Sequence, residues 1–205
     1  MDHFFKTSTF SNALHHDEPL VIHSILKFYT EFTQNRAQRL CFDVASPNGI
    51  LLFQNVSQVC IEYGQKLSAC NTSLIDDENK KANGGDVYQN LLKGMNLLFR
   101  LVHTTLSSSF VNFGMFRLYN DSSLDKVLQM FLDLTVSKLG DCSNLLAYPK
   151  CAETFYQLVE QLSEDHVEWF CNLNEESLVR FMLALKSGIT AVNSRRSWEK
   201  WSSNI

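Results

Sequence analysis

From Glu18 to Gln34 the polar residues His23, Ser24, Lys27, Thr30, Glu31 and Gln34 recur at helical spacing, while Val21, Ile22, Ile25, Leu26, Phe28, Tyr29 and Phe32 fill the remaining face. The pattern predicts a helix buried over more than half its circumference, started by Asp17 or Glu18 with Pro19 in the first turn, where a missing N–H leaves no bond unmade. A second helix is predicted from Ser46 as N-cap and Pro47 as first helical residue, with Leu52, Val56, Val59, Tyr63 and Leu67 in one stripe and an end near Cys70. The run from Asn71 to Gly85 is polar and rich in Asn, Asp and Gly, which predicts a flexible loop.

Asp86 followed three residues later by Gln89 resembles a capping box, and the third stripe runs through Tyr88, Leu91, Met95, Leu98, Val102 and Leu106. Asn120 to Ser123 opens a fourth helix carrying Leu124, Val127, Leu128, Phe131 and Leu132 as far as about Leu139. Tyr148 and Pro149 begin a fifth, with Ala152, Phe155, Tyr156, Val159 and Leu162 inward. After a short helical turn within Asp165 to Leu173, Asn174 caps a sixth through Leu178, Phe181, Leu185, Ile189 and Val192. The aromatic stretch from Phe110 to Tyr119 alternates like a strand but has no partner strand, so it is expected to be a short helix or buried connector.

Six helices make three successive pairs of about fifty residues each, close to the repeat length of about 40 to 47 in HEAT and armadillo proteins. Each stripe is too broad for one neighbour to cover, and stacking the pairs would remove the excess from water at about 25 cal/mol per Å2. The expected fold is therefore all-α, with antiparallel helical hairpins stacked as a HEAT/ARM-type α-solenoid; on pattern alone a closed six-helix bundle fits equally well. The chain divides into a flexible N-terminal segment (1–15), a hairpin segment (16–193) with its loop at 71–85, and an irregular tail (194–205) rich in Ser, Arg and Trp.

Composition narrows the chemistry. With 45% apolar residues the 205-residue chain can bury a core, and only 8 Gly and 3 Pro argue against a many-turned β fold. Lys and Arg number 18 against 22 Asp and Glu, so no basic field attracts nucleic acid, and no apolar run is long enough for membrane insertion. Without a signal-peptide pattern at the start, the chain is expected to be soluble and intracellular, and its three N-x-S matches at Asn55, Asn71 and Asn120 to be unused. The 6 cysteines form no C-x-x-C pair and suit free thiols. The run from His15 to Glu18 lacks the spacing of converging metal ligands and suits a helix start instead. No phosphate loop, G-x-S-x-G or H-E-x-x-H motif is present, and nothing in the sequence pairs Cys142 or Cys151 with His103 or His166. No catalytic residue, metal or cofactor is expected.

Two segments carry more. Leu40 to Phe53 (LCFDVASPNGILLF) and Phe110 to Tyr119 (FVNFGMFRLY), followed in order by Leu145 to Lys150 (LLAYPK) and Glu164 to Val167 (EDHV), resemble the exportin-7 and Ran-binding protein 17 branch of the importin-β superfamily. The resemblance extends from about His16 to Asn193. The family-motif residues are Phe42, Asp43, Ser46, Pro47, Asn48, Gly49, Asn112, Phe113, Gly114, Phe116, Arg117, Tyr119, Tyr148 and Pro149, and their expected roles are structural: helix starts, a close approach at Gly49, and a plug of Phe113, Phe116 and Tyr119 at a hairpin junction.

The resemblance implies a HEAT-repeat nuclear export receptor that shuttles between nucleus and cytoplasm, with protein cargo, Ran-GTP and nuclear pore proteins as partners. It also implies that the chain is a fragment or truncated product of a longer receptor's C-terminal part, lacking the N-terminal repeats that contact Ran. A helical adaptor binding proteins without Ran is the alternative.

Overall fold

A computed structural model of the chain describes residues 18–35, 42, 47–70, 84–108, 110–138 and 148–202; segment 1–15 and loop residues 71–83 lie outside this range. Among the described residues there are eight helices and no strand: α1 Pro19–Gln34, α2 Asn48–Ala69, α3 Gly84–Leu106, α4 Gly114–Leu118, α5 Ser123–Lys138, α6 Pro149–Asp165, α7 Val167–Cys171 and α8 Glu175–Ser202.

Local chemistry sets most of the boundaries. Pro19 and Pro149 stand in the first turns of α1 and α6, and α1 stops where Asn35 turns left-handed at φ 46°. The Asn174 side chain accepts the Ser177 amide at 2.8 Å and caps α8. Before α5, the Asp121 carboxylate accepts the Ser123 amide at 2.7 Å in an Asx turn. Two boundaries depart from the sequence reading. Pro47 is the residue preceding α2, which begins at Asn48. The expected irregular tail is helical as far as Ser202, because no Gly or Pro follows Gly188 and Arg, Trp, Glu and Lys are all tolerated in helices.

Side-chain positions along each helix give the architecture. Thr33 near the end of α1 meets Thr104 near the end of α3 at 3.2 Å; Asn96 of α3 and Ser107 just past its end bond Thr154 and Gln161 of α6 at 2.9 and 3.0 Å. Residue numbers rise together, so α1, α3 and α6 form a parallel row. The same holds for the second row: Gln54 contacts Asp121, Gly64 lies under Met130, and Lys138 reaches the Cys70 carbonyl. Phe131 and Phe181 extend that row from α5 to α8. Between rows the direction reverses. Tyr63 late in α2 lies against Gly94 early in α3, whereas Phe53, Val56 and Cys60 face Val102, Thr105 and Leu106. The first and last long helices do not pack substantially on one another. Two parallel rows of antiparallel hairpins, α1–α2, α3–α5 and α6–α8, left open at both ends, make an α-solenoid rather than a closed bundle.

The core lies between the rows. Phe99 of α3, Phe131 of α5 and Phe155 of α6 form a triangle with ring centroids 5.4, 5.9 and 5.8 Å apart, and Phe181 of α8 joins at 6.2 Å from Phe131. All four rings are fully buried. Among the buried threonines, Thr30, Thr105 and Thr135 return their hydroxyls to the carbonyls of Leu26, Leu101 and Phe131. Truncating Phe131 removes the ring at the centre of this cluster. Phe131→Ala is expected to lower unfolding free energy by about 3 to 5 kcal/mol, and Phe131→Leu by much less, in urea melts followed by circular dichroism.

Candidate interaction surfaces and the motif junction

The two motif segments, separated by more than fifty residues in sequence, meet in space. A Cβ placed on Gly49 would collide with the carbonyl oxygen of Phe110, so the first turn of α2 rests directly on the connector's backbone. Phe42 approaches Phe110 edge-on at 6.1 Å. Phe53 then takes Phe113 and Phe116 at 5.4 and 4.9 Å, and Phe113 and Phe116 stack at 6.0 Å. Each such aromatic pair adds about 0.5 to 1.5 kcal/mol beyond the area it buries.

Asn112 shapes the connector: its side-chain oxygen accepts the Gly114 amide at 3.1 Å and its carbonyl accepts that of Met115 at 3.1 Å, which starts α4. Burial pushes the Asp121 carboxyl up, but bonds from Ser123 and Gln54 and the charge of Lys126 outweigh it, holding the group below its usual range.

Other motif residues divide. Tyr148 is half-buried against the core just before α6, which Pro149 opens. Asn48 is the first residue of α2. Tyr119 does not share the plug: α4 ends at Leu118, and Tyr119 is 66% exposed beyond it. Asp43, Ser46 and the side chain of Arg117 lie outside the described residues.

The residues weighed for chemistry stay apart. Cys151 begins α6 and His166 follows its end, about 22 Å away along the helix at about 1.5 Å per residue. Burial pushes the Cys60 thiol up and that of Cys151 up to about 12, so neither forms the reactive thiolate at neutral pH. Among the described residues no group of three or more His, Cys, Asp or Glu is placed to hold a metal, and no helix is long and apolar enough to cross a membrane.

What lies on the surface instead is a polar groove of about 540 Å3 along the α3–α6 seam, lined by Arg100, His103, Lys150 and Glu153 among others, and apolar side chains at the two ends of the stack. On α1, Leu20, Val21 and Phe28 are exposed, contrary to the broad burial expected from the pattern. On α8, Val179, Met182, Leu183 and Ile189 are exposed, although Ile189 was expected inward. For Leu20, Val179, Met182 and Leu183, which lie off the predicted stripes, that spacing was the available signal.

These features define a class: a HEAT-type stack of helical hairpins. Over 177 residues, 86% of its length, the chain is 38% identical to Exportin-7-B of Xenopus laevis and 36% identical to Ran-binding protein 17 of Homo sapiens. It is 33% identical over 179 residues to Ran-binding protein 16 of Drosophila melanogaster. The chain spans about 15% of the length of each of these relatives. No family model and no solved structure matches it. Over the matched segment the chain is similar to the exportin-7 and Ran-binding protein 16/17 proteins.

Two predictions follow from the junction. Gly49→Ala forces a methyl group into a backbone carbonyl, whereas at Gly64 the obstacle is the flexible thioether of Met130. The first is expected to destabilise by about 1 to 3 kcal/mol and the second by clearly less, by thermal melting, since alanine's helix preference helps both alike. His166 packs edge-on against Phe113 at 5.2 Å, and burial holds its pKa below 6.5 despite the opposing charge of Asp165. The unfolded chain therefore takes up the proton first as pH falls through about 6.5, and stability drops below that value. Urea midpoints at about pH 7.5 and about pH 5.5 are expected to differ less in His166→Phe than in the parent, with His23 and His103, both also lowered chiefly by burial, accounting for part of the remaining slope.

Proposed function

We propose that this chain is a segment of a nuclear export receptor, acting as a binding surface for protein cargo within a longer polypeptide that also binds Ran-GTP and passes through the nuclear pore. The observation that carries the reading is the 38% identity to Exportin-7-B over 177 residues. The open stack supports it, because successive helical pairs present continuous faces wide enough for a folded partner. On this reading the protein shuttles between nucleus and cytoplasm, does no chemistry of its own on the cargo, and has neither nucleic acid nor a bilayer as partner. Cargo and Ran-GTP then stabilise each other's binding by the same coupling free energy, and losing the GTP-bound form releases the cargo.

The junction of Gly49 with the Phe110 connector fits a structural part in this: it holds the first hairpin at a fixed angle to the second, and the shape of a solenoid surface follows from such angles. The test is affinity capture from nuclear extract on the full-length polypeptide that contains this segment, with Ran loaded with GTP or with GDP. Proteins retained more strongly with the GTP form are expected. Retention indifferent to the nucleotide would replace export by a helical adaptor without Ran dependence.

A further inference from the structure

Charge is unevenly placed in this molecule. The chain carries 22 Asp and Glu and a formal net charge of -4, yet from Val87 to Asn120 it has no acidic residue. Most of that stretch is α3, the middle helix of the row α1, α3, α6. Lys93, Asn96, Arg100 and His103 follow one another along α3 at steps of three and four, so they share one side of the helix, and Lys93 and Arg100 are exposed there.

The neighbouring helices add a cation on either flank. Burial first, and then the positive charges of Lys27 and Lys93, hold the His23 pKa down, so an ammonium from α1 and one from α3 bear on the same imidazole. The Tyr63 hydroxyl stands 3.4 Å from His23 and lies against Gly94, the residue after Lys93. About two turns further along α3, Arg100 and His103 line the polar groove of about 540 Å3 together with Lys150 of α6. Among the described residues, the side chains of Lys27, Lys93, Arg100 and Lys150 have no hydrogen bond or ion pair. The exposed acids stand on the flanking helices rather than on α3: Glu31 on α1, and on α6 Glu153, which lines the groove, and Glu160, which acts on His103.

We propose that this side of α3 is a docking track for an acidic segment of a partner protein, laid extended along the helix with carboxylates at Lys27 and Lys93 and at Arg100 and Lys150. The inference rests on the reading of this chain as a protein-binding surface and names the chemistry of what it binds. Lys93 and Arg100 stand about 10 Å apart along the helix axis, and in an extended polyproline-type chain every third side chain returns to the same side after about 9 Å. Acidic residues three apart in the partner therefore meet both pairs of cations. The net negative charge of the rest of the chain disfavours such a segment elsewhere.

Fluorescence anisotropy of a labelled peptide of Glu-Pro-Pro repeats, titrated with the whole chain, tests the track, with Gln-Pro-Pro repeats of the same length as the neutral probe. Only the acidic peptide is expected to bind, and more weakly as salt rises from about 50 to about 300 mM. Lys93→Glu and Arg100→Glu are each expected to weaken binding by about fivefold or more, with Lys93→Gln and Arg100→Gln as second variants should either fold poorly by circular dichroism. Lys126→Glu on α5 and Lys186→Glu on α8 change the net charge equally at exposed positions of the other row, and are expected to leave the affinity within about twofold. An acidic peptide that does not bind, a neutral one that binds as well, or an equal loss in Lys126→Glu and Lys186→Glu would overturn the proposal. Ran does not enter this measurement, so its failure leaves the export reading standing, and capture indifferent to the nucleotide leaves the acidic track standing.

Discussion

Four phenylalanine rings hold the two rows of this molecule together. Phe99, Phe131, Phe155 and Phe181 come from four different helices in two consecutive hairpins, and their contacts run both along a row and across it. A pair of amphipathic helices has one interface between its members and is left with apolar surface to either side. The ring cluster covers that surface for the second and third hairpins at once. Tilted and edge-on ring packing lets bulky side chains interlock where helices cross. The hydroxyls nearby bond within their own helices, or in matched pairs such as Thr33 with Thr104, so the interior keeps few unmet polar groups.

The second constraint is the backbone contact at Gly49. The connector between α3 and α5 presses its Phe110 carbonyl onto the first turn of α2, and the surrounding rings of Phe42, Phe53, Phe113 and Phe116 leave little room for it to move. The two motif segments thus form a joint between hairpins. In a stack whose neighbours touch only neighbours, one joint affects the placement of everything beyond it, so a joint can matter to a binding surface without touching the partner.

Electrostatics plays a smaller part. His23, His103 and His166 are partly buried and favour their neutral forms, chiefly through loss of hydration. The buried thiols are likewise held protonated. Both effects follow from core packing, and the free thiols of Cys70 and Cys171, which are exposed, lie outside it.

The apolar periodicity determined the helices, because a stripe at 3.6-residue spacing has one regular structure that gathers it on a face, and Pro19, Asn174 and Pro149 marked starts through backbone chemistry that acts within a turn. The motif spelling in Leu40 to Phe53 and Phe110 to Tyr119 was likewise legible as a family likeness. Which side of a broad stripe is covered was not. Phe28 and Ile189 read as core and are exposed, while Tyr119 read as part of a plug and is exposed as well. Periodicity records that a residue is apolar, whereas burial depends on where the neighbouring helix lies. Only the tertiary structure decided the parallel order of the rows and the meeting of Gly49 with Phe110, since each joins residues whose contact depends on how whole helices stack.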